Sequence, residues 1–367
     1  MRFVCTGSIA EEAEGVKRGL FVEVRALART TNVVEGFRDM RVLVIRPGAL
    51  GDVLLTLPAL QALQARFPEA AIEMMGDLAA LQWLPGRSVV RSVSSFDRAD
   101  LVELFQPEAQ PGLALQRYLE PFDLIISYAT SPEHIFARNL VRFARGKVIC
   151  WDARPRQGLR MHMSAYLQQP LRELGVQEDV DKPRLLLTAE DHEAAAQWWQ
   201  EHGLGEGLAV AIHPGSGSAA KNWPAERFAA VAQQVRKERG MQVLLVSGPA
   251  DEAVVAVVER ELGGQGYVLL QQLPLPLLAA LLARCWAYVG NDSGVSHLAA
   301  AMGTHVVAIF GPTDAAVWAP RGVSVRVVQG TATCAPCSVE QRWACRQRVC
   351  LEGVTVEEVM KALPHLR

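Results

Sequence analysis

From Met40 onward, short apolar runs alternate with stretches of helical spacing. Arg41-Val-Leu-Val-Ile45 has the continuous hydrophobicity of a strand buried on both faces. A Gly-containing turn follows. Leu54 to Phe67 then places Leu57, Leu60 and Leu63 on one helical face, and Pro68 ends it. Ala71–Met75, Asp123–Ser127 and Lys147–Cys150 read as further strands. After a break, Pro183–Leu187 reads as a strand, and 189–202 as a helix with Glu190 and Asp191 in its first turn. A second series begins at Ala209–His213. It runs through helix 225–239, strand 242–246, helix 251–262, strand 267–270, helix 276–284, strand 287–290, helix 295–302 and strand 306–310. Strands alternating with helices imply parallel sheets covered on both faces, here two doubly wound α/β halves.

The organisation expected is an N-terminal extension over 1–39, a first Rossmann-like domain over 40–182, a second over 183–350, and a terminal segment, 351–367. Its helix, near Val356 to Leu363, should pack close to the junction. Residues 1–39 show no strand–helix alternation and read as a loosely ordered extension, with Met40 as an alternative natural start. The uncharged stretch Leu262–Ala283 contains two prolines, two glycines at its start and several glutamines, so a lipid-exposed helix would be interrupted. It reads as strand, turn and buried helix. No secretory signal is visible, and a cytoplasmic location is expected.

Composition narrows the classes. The 367 residues, at about 150 per domain, agree with two domains. With 50% hydrophobic and 21% charged residues, disorder of the whole chain is excluded. Lys and Arg total 37 against 39 acids, so the chain is no polycation that grips nucleic acid by bulk charge.

Several strand-end segments carry candidate chemistry. Gly48-Ala-Leu-Gly51-Asp52 follows the first strand, where ligands sit in open α/β sheets. Asp52 reads either as a helix cap, worth about 1 kcal/mol, or as a reactive carboxylate. The segment lacks the Gly-x-Gly-x-x-Gly pattern, so a nicotinamide cofactor is not indicated. His213-Pro-Gly-Ser-Gly-Ser218, with Gly215 and Ser216, precedes Lys221-Asn-Trp-Pro224 and a helix start. Free amides and a lysine at a helix N-terminus favour phosphate; a solvated flexible loop is the alternative. Gly290-Asn-Asp-Ser-Gly-Val-Ser-His297 runs into an Ala-rich helix. Asp292, Ser293 and Gly294 suit a diphosphate or sugar hydroxyl, with Asp292 alternatively positioning Lys221. The competing reading is a capped helix with His297 buried. Gly311-Pro-Thr-Asp314 is one more strand-end turn.

Cys334, Cys337, Cys345 and Cys350 cluster as Cys-x2-Cys-x7-Cys-x4-Cys, out of seven cysteines in the chain. They are candidates for a structural zinc or iron–sulfur site, or simply reduced thiols. Between Arg138 and Arg160 lie Arg142, Arg145, Lys147, Arg154 and Arg156, with Asp152 the sole acid. Arg138, Arg142, Arg154, Arg156 and Arg160 are candidates for an anionic or membrane-borne acceptor; a solvated face is the alternative.

In order and spacing, three of these segments resemble glycosyltransferase family 9, the lipopolysaccharide heptosyltransferases. They are Val42–Val53, Ile212–Gly217 with Lys221–Pro224, and Val289–Leu298 with Phe310–Asp314. The resemblance covers about Met40 to Leu363. It implies a GT-B fold, two Rossmann-like domains facing a cleft. It implies an inverting transfer of a heptose or related sugar from an ADP-activated donor, with no cofactor required for catalysis. The acceptor implied is a lipid-linked anionic saccharide such as lipopolysaccharide core, with peripheral contact to the inner membrane. Asp52 matches the family's general base and Lys221 its diphosphate-supporting lysine. Gly51, His213, Gly215, Ser216, Asp292, Ser293, Gly294 and His297 match donor-binding positions, and Glu252 the acidic residue near the ribose. A nucleotide-sugar epimerase or a non-catalytic nucleotide-sugar-binding protein are the alternatives.

Overall fold

A computed structural model describes residues 40–365 apart from 155–157, 159, 178 and 206–207. The extension 1–39 and Arg156 therefore lie outside the described residues. Two parallel sheets are present. The first contains β1 (Arg41–Ile45), β2 (Ala71–Gly76), β3 (Val90–Ser95), β4 (Leu124–Ser127) and β5 (Lys147–Cys150), in the order β3-β2-β1-β4-β5. The second contains β6 (Ala209–His213), β7 (Gln242–Ser247), β8 (Val268–Gln271), β9 (Ala287–Asn291), β10 (His305–Phe310) and β11 (Val325–Gln329), in the order β11-β10-β9-β6-β7-β8. In each, strand order reverses beside the first strand. That switch lies between β1 and β4 in one sheet and between β6 and β9 in the other, and crevices open at the carboxyl ends there.

The helix Leu50–Arg66 starts four residues earlier than its periodicity suggests, which draws Gly51 and Asp52 into its first turn. It is buried around most of its circumference, from Val53 through Leu63, rather than on one face. The cause is position: it lies between the first sheet and the helix Gly294–Ala301 of the second domain. One apolar cluster accordingly runs through both domains, joining Leu54 and Leu57 to Leu298 and Ala299. Two others fill the outer faces of the two sheets.

Three expectations are corrected. Residues 183–187 are extended but form no strand. Leu186 N donates to Arg87 O at 2.8 Å and the Leu186 side chain is 73% exposed, while Leu185 and Leu187 pack inward. This stretch is the crossing between the domains, and it alternates like a strand without a sheet neighbour. The helix Val356–Ala362 packs on the helix Ala225–Arg239 and on the β10–β11 edge, away from the domain junction. Its Val359, with Leu363 just beyond, completes the second domain's outer core. Between β2 and β4, where the sequence pattern gave no element, lie β3 and several short helices. Residues 262–284 form a turn, β8 and the helix Leu275–Arg284 as expected, and no described helix is long and apolar enough to cross a membrane.

Candidate active site

β1 delivers Arg46 and then the Pro47–Ala49 turn to the carboxyl edge of the first sheet. Asp52 is not the helix cap; Ala49 holds that position, and Asp52 Oδ2 accepts from Ala49 N at 3.1 Å. Its other oxygen accepts from Arg46 Nη2 at 2.8 Å. The Arg46 side chain is 7% exposed, and its Nε also donates to Thr56 Oγ1 at 3.2 Å. A buried guanidinium with these partners fixes the carboxylate direction, while the Asp52 side chain stays 36% exposed toward the crevice.

On the second domain, β6 and β9 end side by side, His213 opposite Gly290. The two loops that follow are tied together by Asn291, which is fully buried. Its Nδ2 donates to Pro214 O at 2.8 Å and Gly215 O at 3.3 Å, and its Oδ1 accepts from Trp223 N at 2.9 Å. Lys221 lies between those anchor points, and its Nζ reaches Asp292 Oδ2 at 3.2 Å. Thr313 Oγ1 donates to the same oxygen at 2.8 Å. Asp292 thus positions Lys221, one of the two roles considered for it, and the Gly-Pro-Thr-Asp turn enters the site through Thr313.

Ser293 is the N-cap of the helix Gly294–Ala301, accepting from Ser296 N at 3.4 Å. His213 Nε2 donates to Asp251 Oδ2 at 2.9 Å, which in a neutral imidazole leaves Nδ1 to accept from Ser293 Oγ at 3.3 Å. Asp251 also accepts from Gly248 N at 2.8 Å. Burial pushes the Asp251 carboxyl up, but the His213 interaction and the Gly248 amide outweigh it and hold it below the ordinary carboxylate range. Gly215 is required here, because a Cβ would run into the Asp251 carboxylate. Ser216 Oγ donates to Asn222 Oδ1 at 2.6 Å, stiffening the loop that carries Lys221.

His297 is buried at the domain junction, its Cδ2 3.7 Å from where a Cβ on Gly51 would stand. Burial pushes it down to about 4, so the ring is neutral near pH 7. Gly51 of the first domain lies against both His297 and Gly294 of the second, so residues of both domains border one space. His162 comes from the first domain, and its Nε2 donates to Ala319 O at 2.7 Å across the junction.

Four participants escaped the sequence reading: Arg46, Asp251, Asn291 and His162. Arg46 carried a signal, a charge ending an apolar strand six residues before Asp52. Asp251 precedes the exposed Glu252, whose Oε1 accepts from Gln272 Nε2 at 3.3 Å. With two adjacent acids, the pattern alone does not say which turns inward.

The basic run does not form one face. Arg154 and Arg160 follow β5 and are exposed at the carboxyl edge shared with Asp52. Arg138, also exposed, lies in the first half of the helix Ile135–Phe143. Arg142 and Arg145 lie just before β5, at the opposite end of the sheet. The Cys cluster is not arranged as a metal-ligand set among the described residues. Cys337 Sγ bonds to Cys334 O at 3.2 Å and Cys345 Sγ to Gln347 O at 3.0 Å. Among the described residues no three His, Cys, Asp or Glu side chains are placed to hold a metal ion. The segment packs instead on the second domain's turns, with Cys337 N donating to Pro312 O at 2.8 Å and Arg348 Nη1 to Ala219 O at 2.7 Å.

The sequence profile of glycosyltransferase family 9 (heptosyltransferase) matches residues 153–345, over half of the chain. The chain belongs to glycosyltransferase family 9. Its two facing parallel-sheet domains are a GT-B fold. Lipopolysaccharide heptosyltransferase 2 of Escherichia coli K12 is 26% identical over 316 residues, covering 79% of this chain and 88% of its own. Among solved structures, a glycosyltransferase family 9 protein from Veillonella parvula superposes with a TM-score of 0.72 at 22% identity, covering 88% of this chain and 96% of its own. The ADP-heptose lipopolysaccharide heptosyltransferase II of E. coli follows at 0.68 and 20%, covering 88% and 97%. This family 9 member is therefore a glycosyltransferase of the heptosyltransferase type.

Proposed function

We propose that the protein transfers a heptose from an ADP-activated donor to a lipid-linked saccharide such as lipopolysaccharide core, inverting the anomeric centre. The observation that carries this is the close contact of Gly51, beside Asp52 on one domain, with Gly294 and His297 on the other, next to the Asp292–Lys221 pair. The names of the relatives add the sugar and nucleotide.

In the proposed step the acceptor hydroxyl oxygen attacks the anomeric carbon from the face opposite the diphosphate. Its proton passes to the Asp52 carboxylate as the new C–O bond forms. The bond from the anomeric carbon to the diphosphate oxygen breaks with its electron pair on that oxygen. Lys221 and the free amides at the start of the helix Gly294–Ala301 meet the charge that develops there, the work a divalent cation does elsewhere. His213, Gly215 and Ser216 shape the diphosphate turn, Gly294 lets the two helix starts approach beside Gly51, and Glu252 takes the nucleoside. Arg138, Arg154 and Arg160 face an anionic acceptor arriving at a membrane surface.

Turnover with ADP-heptose and a lipid A–Kdo acceptor tests the reading through ADP release. Asp52→Asn should lower kcat by about 10²–10⁴-fold with donor binding retained. Lys221→Ala should weaken donor binding and lower kcat together. Wild-type turnover by Asp52→Asn, or unchanged donor binding by Lys221→Ala, sinks the corresponding assignment. Chelator-treated protein should turn over at the untreated rate.

A further inference from the structure

The helix Leu113–Leu119 and the end of the helix Ile135–Phe143 enclose a cavity of about 540 Å³. Arg117, Arg142 and Arg145 line it, with Glu120 the one carboxylate and Leu113 and Phe143 the apolar walls. It does not open on the transfer site. Glu120 precedes the start of β4 and Arg145 the start of β5, whereas Asp52 follows the end of β1 in the same parallel sheet. The cavity therefore sits at the amino edge, the length of the sheet away. Gly146 makes that floor compact, since a Cβ there would strike the Phe122 and Asp123 carbonyls.

Its charge is unbalanced. Arg145 pairs with Glu120, but both are half exposed or more, and such pairs are worth little and exchange readily. Arg142 donates to the Ala109 carbonyl and lies over the Phe143 ring with 4.7 Å to its centroid, and no carboxylate among the described residues forms an ion pair with it. Arg117 is exposed and points no guanidinium bond to any described residue. Three planar forks around one acid favour a phosphate, which accepts from several at once. Leu113, 61% exposed at the rim, offers contact to something apolar beside it. The volume is within the usual range for small-molecule sites.

We propose that this cavity is a second anion site, separate from the transfer site, that takes a phosphate group carried beside an apolar moiety. Two sources share this chemistry, an anionic lipid headgroup and a free phosphate compound. The full chain is sedimented with phosphatidylglycerol vesicles and with phosphatidylcholine vesicles, and equilibrium dialysis follows inorganic phosphate. Arg117→Glu/Arg145→Glu should lower binding of the responsive probe by about tenfold or more at low salt. Arg117→Gln alone should lower it less, in the same direction, and ADP binding by both variants reports an intact fold. Loss of phosphatidylglycerol binding assigns a lipid headgroup; loss of phosphate binding alone assigns a free phosphate. Wild-type binding by both variants, or no binding of either probe to the unaltered protein, overturns the proposal.

Discussion

Gly51 and Gly294 meet across the domain junction so closely that a Cβ on Gly294 would stand 2.9 Å from the Gly51 nitrogen. The relation is asymmetric: a Cβ on Gly51 would stand at an ordinary 3.4 Å from the Gly294 Cα. Backbone cannot step aside as a side chain can. Gly294→Ala should therefore force the two helix starts apart, at about 1–3 kcal/mol of overpacking, and lower kcat. Gly51→Ala should be tolerated in both. Parallel thermal unfolding and turnover measurements check the asymmetry; equal effects of the two substitutions would contradict it.

The neighbouring acids Asp251 and Glu252 should separate cleanly. Asp251→Ala strips partners from His213 and the Gly248 amide, both inside the protein, and should cost at least about 2 kcal/mol. Glu252→Ala removes an exposed group and should stay within about 0.5 kcal/mol while weakening ADP binding. Denaturant unfolding gives the first comparison and ADP titration the second. Because the folded Asp251 value lies below its unfolded one, its contribution is present above pH of about 3.9 and fades as pH falls further.

His297 titrates at about 4 in the folded chain against about 6.5 unfolded. The unfolded state thus binds the proton first. Stability from this ring is complete above pH of about 6.5 and is lost as pH falls toward 4. His297→Gln should flatten stability against pH across that window. An imidazole resonance that titrates near 6.5 in the native protein would refute the assignment.

Much of this was legible in the chain. β1, β6 and β9 are short apolar runs, and buried parallel strands announce themselves that way. The turns after them were visible because glycine and serine interrupt hydrophobic runs at strand ends. What escaped depends on direction. Arg46 and Asn291 look like ordinary polar residues until the fold aims them, one at Asp52 and the other at Pro214, Gly215 and Trp223. The basic run misled because chain proximity was read as spatial proximity. β5 intervenes and carries Arg154 and Arg160 to the opposite end of the sheet from Arg145. Residues 183–187 misled for the complementary reason, since a short apolar run reports burial and not a hydrogen-bonded neighbour.

Asn291 has a mechanical consequence. With both ends of the 214–223 stretch latched to one amide, the anion cradle is a single stiff part belonging wholly to the second domain. A single substitution, Asn291→Ala, would free both ends of the stretch at once. One buried amide thus fixes the shape of a loop ten residues long.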